Sequence, residues 1–588
     1  MRFCLNKTHT LIGSCIVVII LFIYPNITQS QVVYATVDPL AVPNNKFGIH
    51  IIQATPDESS PAASLVNTNG DWGYVTVLIE SKDRNHDKWQ EFFNDLRRRH
   101  LIPLVRIATQ PEGNYWKRPY EGEEQAWADF LDALNWPTKN RYIIIYNEPN
   151  HGREWGNFVD AKSYAETLDK TITALKSKNR NFFVLNAGFD ASAPSRPPAY
   201  EDQISFMRQM NGAVPGIFDK LDGWVSHSYP NPEFAGSPDA VGRGTVRTYA
   251  WEMQQLQNLG VDKSLPVFIT ETGWKHAEGL NFDRRFPGAD IVAENYKHAF
   301  ENAWNAGRIV AITPFLLSYQ EVPFDHFSFK RVTGEKQNQK ILGIENSDPN
   351  FYSMYQVLMN LPKTIGKPVQ ENKAKLTQGE IYSSIVSGQS YTISLTFQNT
   401  GQSIWGDTEP IKLVAIRGAQ ELGINSIELP KGIKIEPNQK YTFEVNLKAP
   451  QSGTYPVSLN LFVGAKQFDS DPLKFTTQVK SPVILKIIGA LGWKRDFKGD
   501  YILKIKGVSG ESSQNISLNK EGASREIEAR YLLPDYAFNF TLEKPFYLPK
   551  ALEQKVYAGV NTLDFGTLQP DILTLIFHPG ELLKLLLP

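Results

Sequence analysis

RYIIIYNEPN, Arg141 to Asn150, runs from an unbroken apolar and aromatic stretch directly into a polar pair and a proline. A strand with one wet face alternates apolar and polar residues; this one does not, so it reads as a strand buried on both faces. Pro149 has no N–H to give to a sheet ladder, which places the end of the strand just before it. Asn147 and Glu148 are therefore left at the C-terminal rim of a buried strand.

Working outward from this stretch, seven further β-branched runs share its character. They are KFGIHII (46–52), GYVTVLIE (73–80), LIPLVRIAT (101–109), FFVLNAGF (182–189), DGWVSHSYP (222–230), PVFITETGW (266–274) and IVAITPFLLSY (309–319). Amphipathic helical patterns separate them. In DAKSYAETLDKTITALKSKN, Asp160 is placed to cap the helix, and Ala161, Tyr164, Ala165, Leu168, Ile172 and Leu175 fall on one face. In ADIVAENYKHAFENAWNAG, Gly307 reads as the stop. Eight strands with intervening helices over residues 44–362 predict an α/β fold, a (β/α)8 TIM barrel. An open doubly wound sheet is the competing architecture, but no glycine-rich phosphate loop follows any of the strands.

Beyond Pro362 the texture changes to short alternating runs broken by Gly, Asn and Pro. SYTISLTFQNTG, PIKLVAIRG, KYTFEVNLKAP and GTYPVSLNLFVGAKQF predict a β-sandwich over 370–480. A further β-rich unit is expected over 482–588, so the barrel is followed by two sandwich-like domains. The closing segment ILTLIFHPGELLKLLLP reads as a strand and helix that finish this unit, or as a docking segment.

A chain of 588 residues is longer than one hydrophobic core usually fills, in keeping with several domains. The balance of 61 basic against 62 acidic residues gives no global attraction to nucleic acid or to an anionic membrane. Residues 1–35 combine Arg2 and Lys7 with the apolar run Leu11–Tyr24, short for a bilayer span and suited to a cleaved signal peptide. The expected location is extracellular, secreted or at the cell surface. Both cysteines, Cys4 and Cys15, fall inside this segment, so the remaining chain offers no disulfide, thiolate metal site or cysteine nucleophile.

In a barrel the working residues stand at the C-terminal ends of strands. Strand four ends on Asn147 and Glu148, strand six on His227-Ser228-Tyr229, and strand seven on Glu271 within TETGW. Two facing carboxylates in an aromatic cleft suit cleavage of a glycosidic bond: one protonates the leaving oxygen, the other attacks or stabilises the anomeric carbon. This chemistry calls for no metal and no cofactor.

Asn-Glu-Pro closing strand four, with a second Glu closing strand seven, resembles clan GH-A, the retaining (β/α)8 glycoside hydrolases. YNEPN followed by Trp155, together with TETGW, is most similar to family 39, with family 5-like and β-1,3-glucanase-like members close behind. The resemblance covers residues 44–362 and implies Glu148 as acid/base, kept protonated by a less polar setting and its partner's charge, and Glu271 as nucleophile. It further implies that Asn147 contacts the sugar 2-hydroxyl, that Tyr229 donates to Glu271, and that His227 lines the site. Arg106 is expected to support the nucleophile. Where many members carry a tryptophan on strand eight, this chain offers Phe315 and Tyr319, so Trp274 and then Trp155 are the expected stacking platforms.

SYTISLTFQNTGQSIWG, with its Asn-Thr-Gly turn and Trp405, resembles the Ig-like sandwich found in selective-autophagy receptors and in bacterial extracellular proteins. It implies a stalk or binding module, and the C-terminal β domains are candidates for attachment to a cell surface or cell wall. The implied partner of the barrel is a polysaccharide or oligosaccharide substrate. A different class of function, a surface carbohydrate-binding or adhesion protein on an inactive barrel, would keep the aromatic cleft but usually lose one of the glutamates.

Overall fold

The computed structural model describes residues 36–333, 350–379, 381–507 and 510–586. The expected signal segment, with Cys4 and Cys15, lies outside the described residues. Thr36–Pro588 forms one compact unit.

Its N-terminal part is α/β. The strands β1 (Gly48–Ile51), β2 (Gly73–Glu80), β3 (Leu101–Ala108), β4 (Arg141–Ile145) and β5 (Phe182–Leu185) make a parallel sheet in sequence order. A second parallel sheet holds β6 (Trp224–His227), β7 (Val267–Glu271) and β8 (Ile309–Ile312). Isolated parallel bridges join the two sheets at both edges, Phe47 to Ile312 on one side and Leu185 to Gly223 and Asp190 to His227 on the other. Helices α1 (Pro56–Asn67), α2 (His86–Arg98), α3 (Glu123–Ala133), α4 (Ala161–Lys178), α5 (Gln203–Ala213), α6 (Thr248–Asn258), α7 (Ala289–His298) and α8 (Ser353–Asn360) follow the strands in turn.

The packing explains why β4 lacks alternation. Tyr142 and Ile144 join an inner cluster with Tyr74, Leu104, Phe183, Leu185, Val225, Phe268 and Val310. Ile143 and Ile145 point the other way, into the larger cluster shared with the helices. Both faces are dry from Tyr142 to Ile145, so those positions are aliphatic or aromatic, and the one charge, Arg141, stands at the half-buried start of the strand. On β3, Ile102 and Leu104 belong to the inner cluster, and the two-residue period carries Arg106 to the same interior nearer the C-terminal rim.

Local signals act as expected in α4, where the Asp160 carboxylate accepts from the Ser163 N–H and the six predicted apolar residues are all buried. In α7 the chain departs from expectation: regular helix stops at His298 and one wider turn, Ala299–Ala303, follows ahead of Gly307.

After residue 362 the described chain is almost all strand. Ala374–Gly379, Ser390–Asn399 and Lys440–Lys448 form one antiparallel sheet, and Ile411–Arg417, Gly453–Val463 and Leu473–Lys480 anchor a second. They enclose a cluster of their own around the fully buried Trp405. A third cluster, from Val483 to Leu568, lies under further strands. The tail differs from the expected strand and helix: it is two helices, Ile572–Ile576 and Pro579–Leu586. Asp571 decides this locally, its carboxylate accepting from the Thr574 N–H as an N-cap. No helix among the described residues is long and apolar enough to cross a membrane.

The sandwich is fastened to the N-terminal ends of the parallel strands. His100, one residue before β3, pairs with Asp71 at 2.9 Å and with Asp407 of the sandwich at 2.7 Å, while its ring stacks on Trp72. Arg98 grips Glu436 through two parallel hydrogen bonds, and Gln402 donates to the Thr138 carbonyl just before β4. Burial opposes the charge on His100, but the two aspartates outweigh it and raise the imidazole to about 9 from an ordinary 6.5. A raised folded-state value means this contribution to stability is complete below about pH 6.5 and is lost as pH climbs through about 9. His100→Asn is expected to lower stability at pH 6.5 by on the order of 2 kcal/mol, with a smaller loss at pH 10. Urea unfolding at the two pH values measures the difference; equal losses would assign His100 a packing role only.

Candidate active site

Beyond Ile145 the chain leaves the sheet abruptly. Tyr146 has φ 69° and Glu148 φ 28°, both in the left-handed region that side chains with a Cβ seldom occupy. The turn is held by the Glu148 N–H donating to the Gly188 carbonyl and the His151 N–H donating to that of Glu148. It directs the Glu148 carboxylate toward Glu271, the last residue of β7, and His227, the last residue of β6 and the register partner of Glu271.

His227 sits between the two carboxylates, its Nδ1 2.8 Å from Glu148 Oε1 and 3.8 Å from Glu271 Oε2. One oxygen of each glutamate and a ring nitrogen of His227 lie within 4.8 Å of one another. Tyr229 donates its hydroxyl to Glu271 Oε2 at 3.1 Å. Arg106 donates one nitrogen to Glu271 Oε1 and to Asn147 Oδ1. Burial works against the Glu271 charge, yet His227 and Arg106 hold it well below the usual carboxylate range. His227 is itself fully enclosed; burial disfavours its charge, but Glu271 and Glu148 raise it overall. Gly188 makes room for this ring, since a Cβ there would clash with His227 Cδ2.

These groups open into a cavity of about 380 Å³ with aromatic walls of Trp116, Phe234, Phe315, Tyr319, Phe324 and Phe327. Tyr319 thus stands where the sequence placed it. Trp274 and Trp155, the expected stacking platforms, do not. Trp274 is buried, donates its indole N–H to the Gly236 carbonyl and packs edge-on against Tyr296. Trp155 is equally buried between Tyr146 and Tyr164. Both are core residues because they leave the rim pointing back toward the helices, and neither lines the cavity. The indole that does is Trp116, on a short antiparallel ribbon pairing Pro111–Glu112 with Tyr115–Trp116.

Several polar residues were not foreseen. His50 on β1 is fully buried, lines the cavity, and its ring nitrogens find no hydrogen-bond partner among the described residues. Burial and the neighbouring Arg106 push it down to about 3, which keeps the ring neutral. Glu154 accepts from Asn147 Nδ2 at 3.3 Å and is pushed up to about 7 by burial and by the charge of Glu148. His151 pairs with Asp190 at 2.8 Å and approaches Glu148 Oε2 at 3.7 Å. Glu148 is therefore flanked by two imidazoles, where a less polar setting than that of Glu271 was expected. A polar residue at an inward position of an otherwise apolar strand was the available signal for His50.

Glu148, His227 and Glu271 are also the one group of described residues whose donor atoms are close enough to hold a metal ion. The oxygens of Glu271 are already engaged by Arg106 and Tyr229, so a cation there would compete with a guanidinium. The donor set fits a hydrogen-bonded acid and base better than a metal centre.

No protein-family model matches the chain, and no curated protein matches it in sequence. Among solved structures it is similar to a family 39 glycoside hydrolase from Bacteroides cellulosilyticus, at 14% identity over 70% of this chain and 82% of that one, with a TM-score of 0.36. It is also similar to a glucosidase from Croceicoccus marinus, at 12% identity over 83% and 94% of the two chains, TM-score 0.38. A GH128 endo-β-1,3-glucanase from Sorangium cellulosum shares 14% identity over 55% of this chain and 98% of its own, TM-score 0.34. At such identities and scores the chemistry rests on the residues of the site itself.

Proposed function

We propose that the chain is an extracellular retaining glycoside hydrolase that cleaves the β-linked bonds of a polysaccharide or its fragments on a (β/α)8 barrel. The observation that carries this reading is the separation of the two glutamates. Retaining enzymes hold their carboxyl groups about 5–5.5 Å apart, whereas inverting ones need about 6.5–9.5 Å to admit a water. Here one oxygen of Glu148 lies within 4.8 Å of one oxygen of Glu271, a nearest-atom approach that favours the shorter, retaining arrangement.

The environments divide the roles. Glu271, kept ionised by Arg106, His227 and Tyr229, attacks the anomeric carbon and forms a covalent glycosyl-enzyme. Glu148 gives its proton to the leaving oxygen and then takes one from the incoming water, with the His227 imidazole against Oε1 as its proton partner. Asn147 has its carbonyl oxygen tied to Arg106, which fixes the amide and leaves an N–H for the sugar 2-hydroxyl. His50, neutral and without a hydrogen-bond partner among the described residues, faces the cavity as a further hydroxyl ligand. The aromatic walls receive the flat apolar faces of sugar rings.

Incubation of the chain with a panel of β-glucans, xylans, mannans and galactans, with product anomers followed by proton NMR, tests the reading. Release with the β-anomer appearing first is expected; the α-anomer appearing first would exclude double displacement on a β-linkage.

A pH prediction follows from Arg106. Removing its charge in Arg106→Gln lets the Glu271 pKa rise, so a larger fraction of the nucleophile is protonated in mild acid. The acidic limb of kcat/KM is expected to move to higher pH by about one unit or more. A lower maximum with an unmoved limb would mean that Arg106 only positions Asn147.

A further inference from the structure

We propose that the C-terminal helices form a docking surface for an anionic lipid bilayer. Leu575 is fully buried and Leu585 packs on the third core cluster, so these two side chains pin Ile572–Ile576 and Pro579–Leu586 to the last β unit. Leu582 is half-buried, and the other large apolar side chains face outward: Leu573 is 77% exposed and Phe577 81%, with Ile572, Ile576, Leu583 and Leu586 all more than half exposed. A contiguous stretch of this kind on a folded surface marks an interaction site.

The neighbouring loop supplies the chemistry of the partner. Lys494 donates to the Lys584 carbonyl, which ties the loop WKRDFK to the second helix. Trp493, 52% exposed, stands at its head. Arg495 and Lys498 are exposed, and among the described residues neither they nor Lys494 reaches a carboxylate at ion-pair distance. Of the nearby acids, Glu581 is offset by Lys584, while Asp496 and Asp571 accept backbone N–H groups and keep their charge, so the three loop cations outnumber the uncompensated carboxylates by one. Apolar side chains that can enter the acyl boundary, an indole at headgroup level and unpaired cations beside them are the parts of an interfacial anchor on anionic lipid. A second copy of the chain fits less well, because a two-fold contact on this patch would bring the cationic loop against its own image or close to it. Both helices are far too short to span, so the contact lies along the surface.

Co-sedimentation of the chain from Thr36 onward with vesicles of phosphatidylcholine alone, or with about 30% phosphatidylglycerol, tests the proposal. Partitioning about tenfold stronger on the anionic vesicles, weakening with salt, is expected. Leu573→Asp/Phe577→Asp should abolish binding, and Arg495→Glu/Lys498→Glu, on an exposed loop, should remove the anionic preference. Two outcomes overturn it: no sedimentation with either vesicle, or a concentration-dependent dimer that the Asp pair dissolves while vesicles leave the chain in solution.

Discussion

Replacing Glu271 by alanine is expected to reduce hydrolysis by on the order of 10⁴-fold or more, because the other carboxylates lining the cavity are held elsewhere, Glu154 by Asn147 and Asp190 by His151. Tyr229 is a phenol whose pKa lies far above the working range, raised by burial and by Glu271 itself, and Glu148 is oriented toward the leaving oxygen. The variant leaves a gap facing the anomeric carbon, flanked by Arg106. Added azide, a small anion, should enter that gap and attack from the same side as Glu271 did. Recovery of rate with an α-glycosyl azide as product is the expected signature. A variant that kept more than a tenth of its rate would remove Glu271 from the nucleophile's role.

Glu148→Ala should fail in a different way, and the difference separates the two roles. Loss of the acid matters in proportion to how poor the leaving group is, so on a polysaccharide or unactivated disaccharide the rate is expected to fall by about 10²–10⁴-fold. With a dinitrophenyl glycoside, whose leaving group needs no proton, formation of the glycosyl-enzyme should be nearly unchanged. Its hydrolysis then lacks a base, so a burst of phenol followed by a slow steady state is expected. Azide should rescue this second step and give the β-glycosyl azide, the opposite anomer from Glu271→Ala. Rate measurements on both substrate types decide the matter. Equal losses on good and poor leaving groups would mean that Glu148 positions substrate and does not protonate it.

The parallel strands were legible because their pattern is dictated by burial on two faces: in β4, Tyr142 and Ile144 turn inward and Ile143 and Ile145 outward, so polar and apolar residues do not alternate. Glu148 and Glu271 were legible because a charge that ends such a run stands at a rim. Arg106 also followed from position, two residues beyond Leu104 on the inward face. Trp155 and Trp274 were misplaced because a tryptophan a few residues past a strand end has the same spelling whether it faces a cavity or the helices; only backbone direction decides. Trp116 sits on a ribbon whose pairing spans just two residues a side, too short for any periodic signal. His151 and Asp190 come from different βα segments, and their pairing exists only in three dimensions. In the tail, the apolar run suggested strand or helix equally, and the Asp571 cap was the deciding letter.

The attachment of the sandwich at His100, Arg98 and Thr138 places it at the opposite end of the strands from Glu148 and Glu271. For an engineer this separates two tasks that commonly conflict. Rigidifying substitutions around Asp71, Asp407 and Glu436 act at the seam, away from the proposed catalytic pair, so thermal resistance raised there is expected to leave the rate unchanged. Under the proposed hydrolase reading, the rim loops are conversely where glycan choice would be changed while the seam stays intact.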